Sequence, residues 1–166
     1  MQDIKKAFDS VSLEALTWAM ERIKIPEGAI RFVLNLYNKR EIAIITKYGN
    51  TDSFVAEDGI DQGEVISPLI WRIFYDPLLS KIQDKELGFK VGVEWPIDIQ
   101  RGTIQNREVQ VGVLAYADNT TWVALSKEGL QKTIDISNSF FKLNDIEINL
   151  QKSELLVLNS KVGKGN

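Results

Sequence analysis

The sequence contains neither cysteine nor histidine, and this double absence sets the strongest limit on what the chain can fold into. Disulfide scaffolds, zinc-nucleated folds, cysteine nucleophiles and histidine-dependent triads are all excluded within these 166 residues. An apolar core must therefore hold the fold, and hydrophobic residues form 44% of the chain, enough for one domain. Any metal must be bound by oxygen, which favours magnesium, manganese or calcium.

Helical and strand patterns alternate along the chain, which predicts an α+β fold. The apolar spacing predicts helices over 13–24 and 27–38, a third that begins at Ser67-Pro68 and that Pro77 should kink or end, and a fourth through 130–141. A first hairpin is predicted from a strand at 42–46, a turn at Gly49-Asn50 and a partner strand at 53–57. Residues 88–112 are predicted to form loops rich in β structure or hairpins. A strand through 109–117 is predicted to pair with 122–125, and a last strand is predicted at 155–158.

Two polar segments in the first half of the chain could carry chemistry. Asp3, at a strand end before a turn into a helix, could hold a divalent cation, although a solvated Asp3 and a helix-capping Asp9 are the simpler interpretation. Further along, Gly59 and Gly63 permit a close backbone approach just before a helix N-terminus at Ser67, which suits a phosphate or nucleotide. An ordinary strand-to-helix loop with a good cap explains that pattern equally well.

Two more segments lie in the second half. In Tyr116-Ala117-Asp118-Asn119, an acidic residue at a hairpin tip can project a carboxylate from two rigid strands, whereas an ordinary Asp-Asn turn needs no ligand. Lys152 follows a polar turn that contains Asn149, where it could approach a phosphate or donate a proton. A solvated surface lysine is the common alternative.

Taken in this order and at these intervals, the four segments resemble motifs A, B, C and D of the reverse transcriptase palm. The resemblance is greatest to the enzymes of non-LTR (LINE-type) retrotransposons. It extends from residue 2 to about 158, and its most specific parts are the Gln62-Gly63…Ser67-Pro68-Leu69 segment and the Tyr116-Ala117-Asp118 box. The resemblance implies a palm-like antiparallel sheet with helices packed on one face.

The resemblance also implies roles for individual residues. In the family, carboxylates at the positions of Asp3 and Asp118 bind two Mg²⁺ ions, with Mn²⁺ as an alternative, and dNTPs are added to a primer on an RNA or DNA template. Phe8 matches the side chain that rejects a 2′-hydroxyl, and Lys152 matches a lysine proposed to protonate the leaving pyrophosphate. The remaining matches are Asn119 as a third metal-site residue, Gln62, Gly63 and Tyr116 at the nucleotide, and Asp9, Ser67 and Asn149 as further candidates.

Two departures from the family pattern reduce the activity we expect. Asn119 stands where the family has a second aspartate, which removes one negative charge from the site. Asp3 is the third residue of the sequence, so we expect it to be poorly held, and we expect the fingers and thumb segments to be missing. Residues 1–160 are then a partial reverse transcriptase domain with a disordered tail at 161–166, and its primer extension should be negligible without the missing segments.

The charge balance and the absence of targeting patterns bear on the partners. A net charge of −3 is unsuited to gripping nucleic acid unaided, and it agrees with a palm that lacks its basic neighbours. The expected partners are an RNA template, a DNA primer and dNTPs, in the nucleus or cytoplasm and without a membrane. The alternative hypothesis is a non-catalytic remnant that keeps the palm fold and binds only RNA or a protein; a host RNA-dependent RNA polymerase is disfavoured by Phe8.

Overall fold

A computed structural model describes residues 1–56, 58–98, 103–116 and 119–158, and it confirms the predicted α+β class. The four helices are α1 (Leu13–Arg22), α2 (Glu27–Tyr37), α3 (Ser67–Asp84) and α4 (Lys127–Leu143), with short 3₁₀ helices at Phe8–Ser10 and Leu150–Lys152. The strands are β1 (Gln2–Asp3), β2 (Arg40–Ile42), β3 (Ile45–Thr46), β4 (Gly49–Asn50), β5 (Phe54–Ala56), β6 (Phe89–Asp98), β7 (Thr103–Val111), β8 (Val113–Tyr116) and β9 (Asn119–Trp122).

The central sheet has three antiparallel strands in the order β1-β9-β8. β9 pairs with β8 as a hairpin and with β1 on its other side, so a strand from the chain start joins one from the second half. The indole N–H of Trp122 donates a 2.6 Å hydrogen bond to Oε1 of Gln2 and ties these strands further. The remaining described strands form two-stranded units, β2-β5, β3-β4 and the long β6-β7 hairpin.

An aromatic cluster on α3 and α4 forms the centre of the core. Trp71 stacks on Tyr75 with ring centroids 5.3 Å apart, and Phe74 meets the edge of Phe140 at 5.7 Å. Tyr75 also stacks on Phe141 at 6.4 Å. Each such pair contributes about 0.5–1.5 kcal/mol beyond the burial of its apolar area, so the cluster fixes α3 and α4 against each other and beneath the sheet.

Three of the four helices begin and end close to their predicted positions. The Ser12 hydroxyl caps α1 by accepting a 3.4 Å hydrogen bond from the amide of Ala15, and Ser126 caps α4 through the amide of Gly129 at 3.0 Å. α1 ends two residues before the predicted limit, because Lys24 adopts a φ of 60° that a helix does not allow.

The third helix differs from the prediction at two residues. Ser67 is its first helical residue instead of its cap, since the N-cap position belongs to Ile66, and the Ser67 side chain is buried. Pro77 does not end the helix, which continues to Asp84. Although a proline removes one helical hydrogen bond, the buried side chains on both sides of it, such as Phe74 and Leu78, hold the helix in place.

Local geometry corrects three of the strand predictions. The predicted strand 42–46 is split between β2 and β3, and the predicted turn at Gly49-Asn50 is a strand, because the chain reverses at Lys47-Tyr48 instead. The predicted strand 109–117 is interrupted at Gly112, where the chain passes from the β6-β7 hairpin into the central sheet. Residues 155–158 form no strand, since pairing with the chain start stops at Glu154, whose amide donates to the Met1 carbonyl at 3.0 Å.

Two further predictions concern the ends and the membrane. The predicted tail, 161–166, lies outside the described residues, as does the last part of the predicted domain, 1–160. Among the helices that the structure describes, none combines the length and the apolar character that crossing a bilayer requires.

Candidate active site

Asp3 lies between two segments from the second half of the chain, one on each side of β1. In β1 it is directly opposite Asn119 of β9, and its carbonyl accepts a 2.9 Å hydrogen bond from the amide of Asn149 on the other side. The next residue, Ile4, forms an antiparallel bridge with Ile148 and is 2% exposed. The expectation that Asp3 is poorly held is therefore wrong, because pairing on both flanks fixes it, and its side chain is only 13% exposed.

The predicted hairpin that carries the Tyr116-Ala117-Asp118-Asn119 box forms, but its second strand is β9 (Asn119–Trp122) and not the predicted 122–125, because Asn119 pairs with Tyr116 as a strand residue. Tyr116 of β8 and Asn119 of β9 are the last pair before its tip, so Asp3 lies level with the end of the hairpin. Tyr116 is 84% exposed and available to a ligand. Ala117 and Asp118 lie outside the described residues, so the predicted role of Asp118 stays a prediction.

Lysines surround the exposed edge of Asp3. Nζ of Lys152 lies 3.9 Å from Oδ2 of Asp3, and the Lys152 side chain is 71% exposed. Nζ of Lys5 lies 3.1 Å from Oε2 of Glu147. These groups line a cavity of about 590 Å³ together with Lys6 and Asn149. The lining contains the ammonium groups of Lys5, Lys6 and Lys152 and also the carboxylates of Asp3, Asp145 and Glu147, so a ligand that entered this cavity would meet charges of both signs.

The donor atoms around Asp3 are those that a hard cation prefers. The Asp3 carboxylate and the Asn119 side chain on the opposing strand offer oxygen only, as Mg²⁺ or Mn²⁺ requires. Within the described ranges, no group of three acidic residues lies close enough to hold a metal ion. The predicted metal site also includes the carboxylate of Asp118, which lies outside the described residues.

The Phe8 segment and the glycine loop meet directly. The amide of Ile60 donates to the carbonyl of Phe8 at 2.9 Å, and the amide of Gly59 donates to that of Val11 at 3.0 Å. A Cβ at Gly59 would lie 3.0 Å from the Asp9 carbonyl oxygen, and Gly59 has a φ of +89°, so both the space and the backbone require glycine there. Two segments that are about fifty residues apart in sequence thus form one surface.

The residues on this surface differ in burial. The Phe8 ring packs 5.9 Å from Trp71 and is half-buried, which fixes its position. Gln62 and Gly63 are exposed, and a Cβ at Gly63 would meet no atom within 4 Å. The loop therefore presents these two residues to any ligand that lies over Phe8.

Asp9 lines a different cavity from Asp3. It does not cap α1, since Ser12 does, and it lies within the 3₁₀ helix that follows β1. Its side chain faces a different cavity of about 770 Å³, where Trp18 of α1 and Leu143 of α4 also lie. The helix-cap interpretation of Asp9 is therefore wrong.

Sequence reasoning missed a polar group beside the glycine loop. The Tyr37 hydroxyl donates to Oε2 of Glu64 at 3.1 Å, and burial raises the pKa of Tyr37, with the Glu64 carboxylate acting in the same direction. Arg40 forms an ion pair with Asp61 and donates to the Gly59 carbonyl at 3.0 Å. The one available signal was a tyrosine and an arginine three residues apart at a helix end, which is too common to single out.

The chain as a whole is similar to known proteins. Residues 1–162 match the family model described as reverse transcriptase (RNA-dependent DNA polymerase). Among curated proteins, the chain is 27% identical over 150 residues to the Pol polyprotein of the type-2 retrotransposable element R2DM from Drosophila melanogaster. It is 25% identical over 158 residues to the R2 Pol polyprotein of Nasonia vitripennis and 26% identical over 153 residues to that of Popillia japonica.

These alignments cover most of this chain but only a small part of each relative. The three alignments cover 90%, 94% and 91% of this chain but only 13%, 14% and 19% of the relatives. The chain therefore spans less than a fifth of the length of the curated relatives that it matches.

Proposed function

Because the chain belongs to the reverse transcriptase (RNA-dependent DNA polymerase) family and is of the non-LTR type, we propose that it forms the palm of an RNA-directed DNA polymerase. Its substrates are dNTPs, and its macromolecular partners are a primer and an RNA template. The observation that carries this proposal is the pairing of β1 with β9, which puts Asp3 at the end of the hairpin that bears the Tyr116-Ala117-Asp118 box.

The family uses divalent metal ions, and Mg²⁺ is the ion we propose, with Mn²⁺ as the alternative. Asp3 and Asp118 would hold the metal, and the side-chain oxygen of Asn119 would be the third donor. When bound, such ions lower the pKa of a coordinated hydroxyl and neutralise charge on phosphate oxygens. The oxygen-only donors on the described part of the site fit this assignment.

The lysines around Asp3 are placed to act on the triphosphate. The Lys152 side chain is 71% exposed and lines the Asp3 cavity, so it can hold the pyrophosphate leaving group and protonate it. Lys5 and Lys6 line the same cavity, where they offset the carboxylates of Asp145 and Glu147 and can contact the anionic nucleotide. The Phe8 ring, fixed against Trp71, limits the space available to the sugar of the nucleotide. Gln62 and Gly63 face the nucleotide from the glycine loop.

Metal-dependent binding of a deoxynucleotide tests the proposal on the 166-residue chain itself. We expect a fluorescently labelled dNTP to bind in Mn²⁺ and to be released by EDTA, as measured by anisotropy. Asp3→Asn should weaken binding by about tenfold or more, because it removes the anionic metal ligand. The matched control is Asp52→Asn, which makes the same change at an exposed loop position. Binding that ignores EDTA, or that Asp3→Asn leaves intact, would contradict the proposal.

Asn119 favours a second candidate function, in which the chain keeps the palm fold and binds RNA or a protein without catalysis. An amide at this position supplies an oxygen but no charge, so the site has one anionic ligand fewer than the family pattern. A parallel titration with labelled RNA separates the candidates, since a non-catalytic palm would bind RNA with no dependence on Mn²⁺ and no competition from dNTP.

A further inference from the structure

The loop 59–64, which presents Gln62-Gly63, is held by side chains outside the four motif segments. Its inner edge is fixed by the backbone hydrogen bonds from Gly59 and Ile60 to the segment that contains Phe8. Its outer edge contacts the end of α2 and the start of β2, through Tyr37 and Arg40. Neither Tyr37 nor Arg40 is among the residues proposed to contact the metal or the nucleotide.

Arg40 makes four separate interactions at this edge. Nη2 donates to the Gly59 carbonyl at 3.0 Å, and Nε donates to the carbonyl of Tyr37 at 3.3 Å. The guanidinium forms an ion pair with the Asp61 carboxylate, and its carbon lies 5.1 Å from the centre of the Tyr37 ring. The Arg40 side chain is only 15% exposed, so these interactions are shielded from water and from salt.

A second contact holds the loop 59–64 at Glu64, the residue after Gly63. The Tyr37 hydroxyl donates to the Glu64 carboxylate at 3.1 Å. Anchors at Gly59, Asp61 and Glu64 therefore enclose Gln62 and Gly63 between them. These two residues are exposed, and Gly63 has a φ of +94° with open space around it, so packing of their own does not fix their conformation. The anchors on either side must do so.

We propose that Arg40 is a positioning residue that sets the conformation of Gln62-Gly63 relative to Phe8 and thereby the affinity of the site for a dNTP. The inference rests on the proposed function for its link to nucleotide binding. A planar guanidinium can reach two carbonyls and a carboxylate at once, whereas a lysine ammonium acts as a point charge. Arg40→Lys should therefore keep the attraction to Asp61 and lose part of the geometry.

Two measurements on the full chain test this inference. The first is amide hydrogen exchange of residues 59–64, and the second is Mn²⁺-dependent binding of the labelled dNTP. Arg40→Met should speed the exchange of the loop and weaken dNTP binding, each by about tenfold, while the α3 amides exchange as in the wild type. Arg40→Lys should recover part of both effects.

Matched variants separate positioning from general destabilisation. Arg22→Met breaks the ion pair that Arg22 of α1 makes with Asp76, away from the loop, and should change neither measurement. Asp61→Asn removes only the ionic contact at a partly exposed side chain, and it serves if Arg40→Met does not fold. It should speed loop exchange by less than Arg40→Met.

Each outcome has a distinct meaning. Loop exchange that Arg40→Met or Asp61→Asn leaves unchanged overturns the inference. So does a loop that exchanges faster while dNTP affinity stays at the wild-type value. If the wild type shows no metal-dependent dNTP binding, the proposed function fails, and loop exchange alone then decides whether Arg40 holds the loop.

Discussion

At the scale of single residues, the environment of Asp3 combines strong backbone support with weak side-chain pairing. Hydrogen bonds on both flanks fix its backbone, but its nearest ammonium, that of Lys152, is 3.9 Å away on a side chain that is 71% exposed. Such exposed pairs contribute about 0–1 kcal/mol. The backbone thus fixes the position of Asp3, while the ion pair with Lys152 adds little to its stability.

Asn119→Asp tests the charge of the site. Asn119 lies directly opposite Asp3, so the substitution puts two carboxylates on paired strand positions, which costs about 0.2–1 kcal/mol without metal. We expect the variant to melt below the wild type in EDTA and to gain more from Mg²⁺, as thermal unfolding monitored by circular dichroism would measure. Asn138→Asp adds the same charge on an exposed face of α4 and should respond equally to both conditions.

Polymerase activity gives this substitution a second readout. In the presence of any further segments that extension requires, Asn119→Asp should increase dNTP incorporation if the missing charge limits the rate. No gain over the wild type would remove Asn119 as the limiting defect.

At the scale of elements, close backbone approaches decide where strands begin and end. The β6-β7 hairpin leaves the domain beside α3, and there Gly88 faces Gly112 so closely that a Cβ at Gly88 would lie 2.5 Å from the backbone of Val111. Atoms cannot approach to that distance, so a side chain at Gly88 would force the two strands apart. This contact explains why the predicted continuous strand through Val111 and Val113 is divided at Gly112.

Gly88→Ala should therefore destabilise the protein. We expect a loss of about 1–3 kcal/mol in the free energy of unfolding, because the added methyl group must displace backbone. Gly92→Ala, within β6 just after Gly88, is the matched control, since a Cβ there meets no atom within 4 Å. Equal midpoints of the two variants in urea would contradict the steric interpretation.

The contact between α3 and β9 predicts a loss of stability in alkali. The Tyr75 hydroxyl lies 3.1 Å from Oγ1 of Thr120, and burial raises the pKa of Tyr75 above its ordinary value of about 10. The unfolded chain releases this proton first as the pH rises, so the stability that Tyr75 contributes is complete below pH 10 and is lost above it.

Tyr75→Phe isolates that contribution. Without the phenol, the stability should fall less steeply above pH 10, by up to about 1.4 kcal/mol per pH unit. At neutral pH the variant should lose about 1 kcal/mol, since the buried Thr120 hydroxyl loses its partner. Urea unfolding at several pH values measures both effects, and equal slopes for the two proteins would contradict the assignment.

At the scale of the whole molecule, the net charge of −3 limits the grip on nucleic acid. Binding of a primed template releases counterions in proportion to the phosphates that basic side chains contact, and the lysines around Asp3 share their cavity with the carboxylates of Asp145 and Glu147. The acidic excess therefore disfavours tight binding of a long polyanion by this chain.

We expect the 166-residue chain to bind a primed RNA template weakly, with a Kd no tighter than about 1 μM at 0.15 M salt. Primer extension should accordingly be negligible under conditions in which the labelled dNTP binds. Anisotropy of a labelled primer and gel analysis of its extension measure the two quantities. Clear incorporation of dNTP on the primed RNA would contradict this prediction.

The sequence by itself determined the α+β class, three of the four helices to within about three residues, and the order of the four motif segments, because these depend on local periodicity, caps and residue type. It did not determine that Asp3 is firmly held, that Asp9 faces another cavity, that Ser67 lies inside its helix, or that Arg40 holds the glycine loop. Only the tertiary structure decided these, since each depends on which distant strand or helix lies alongside. Pairing between the chain start, Asn119 and Asn149 is a non-local property that no local pattern encodes.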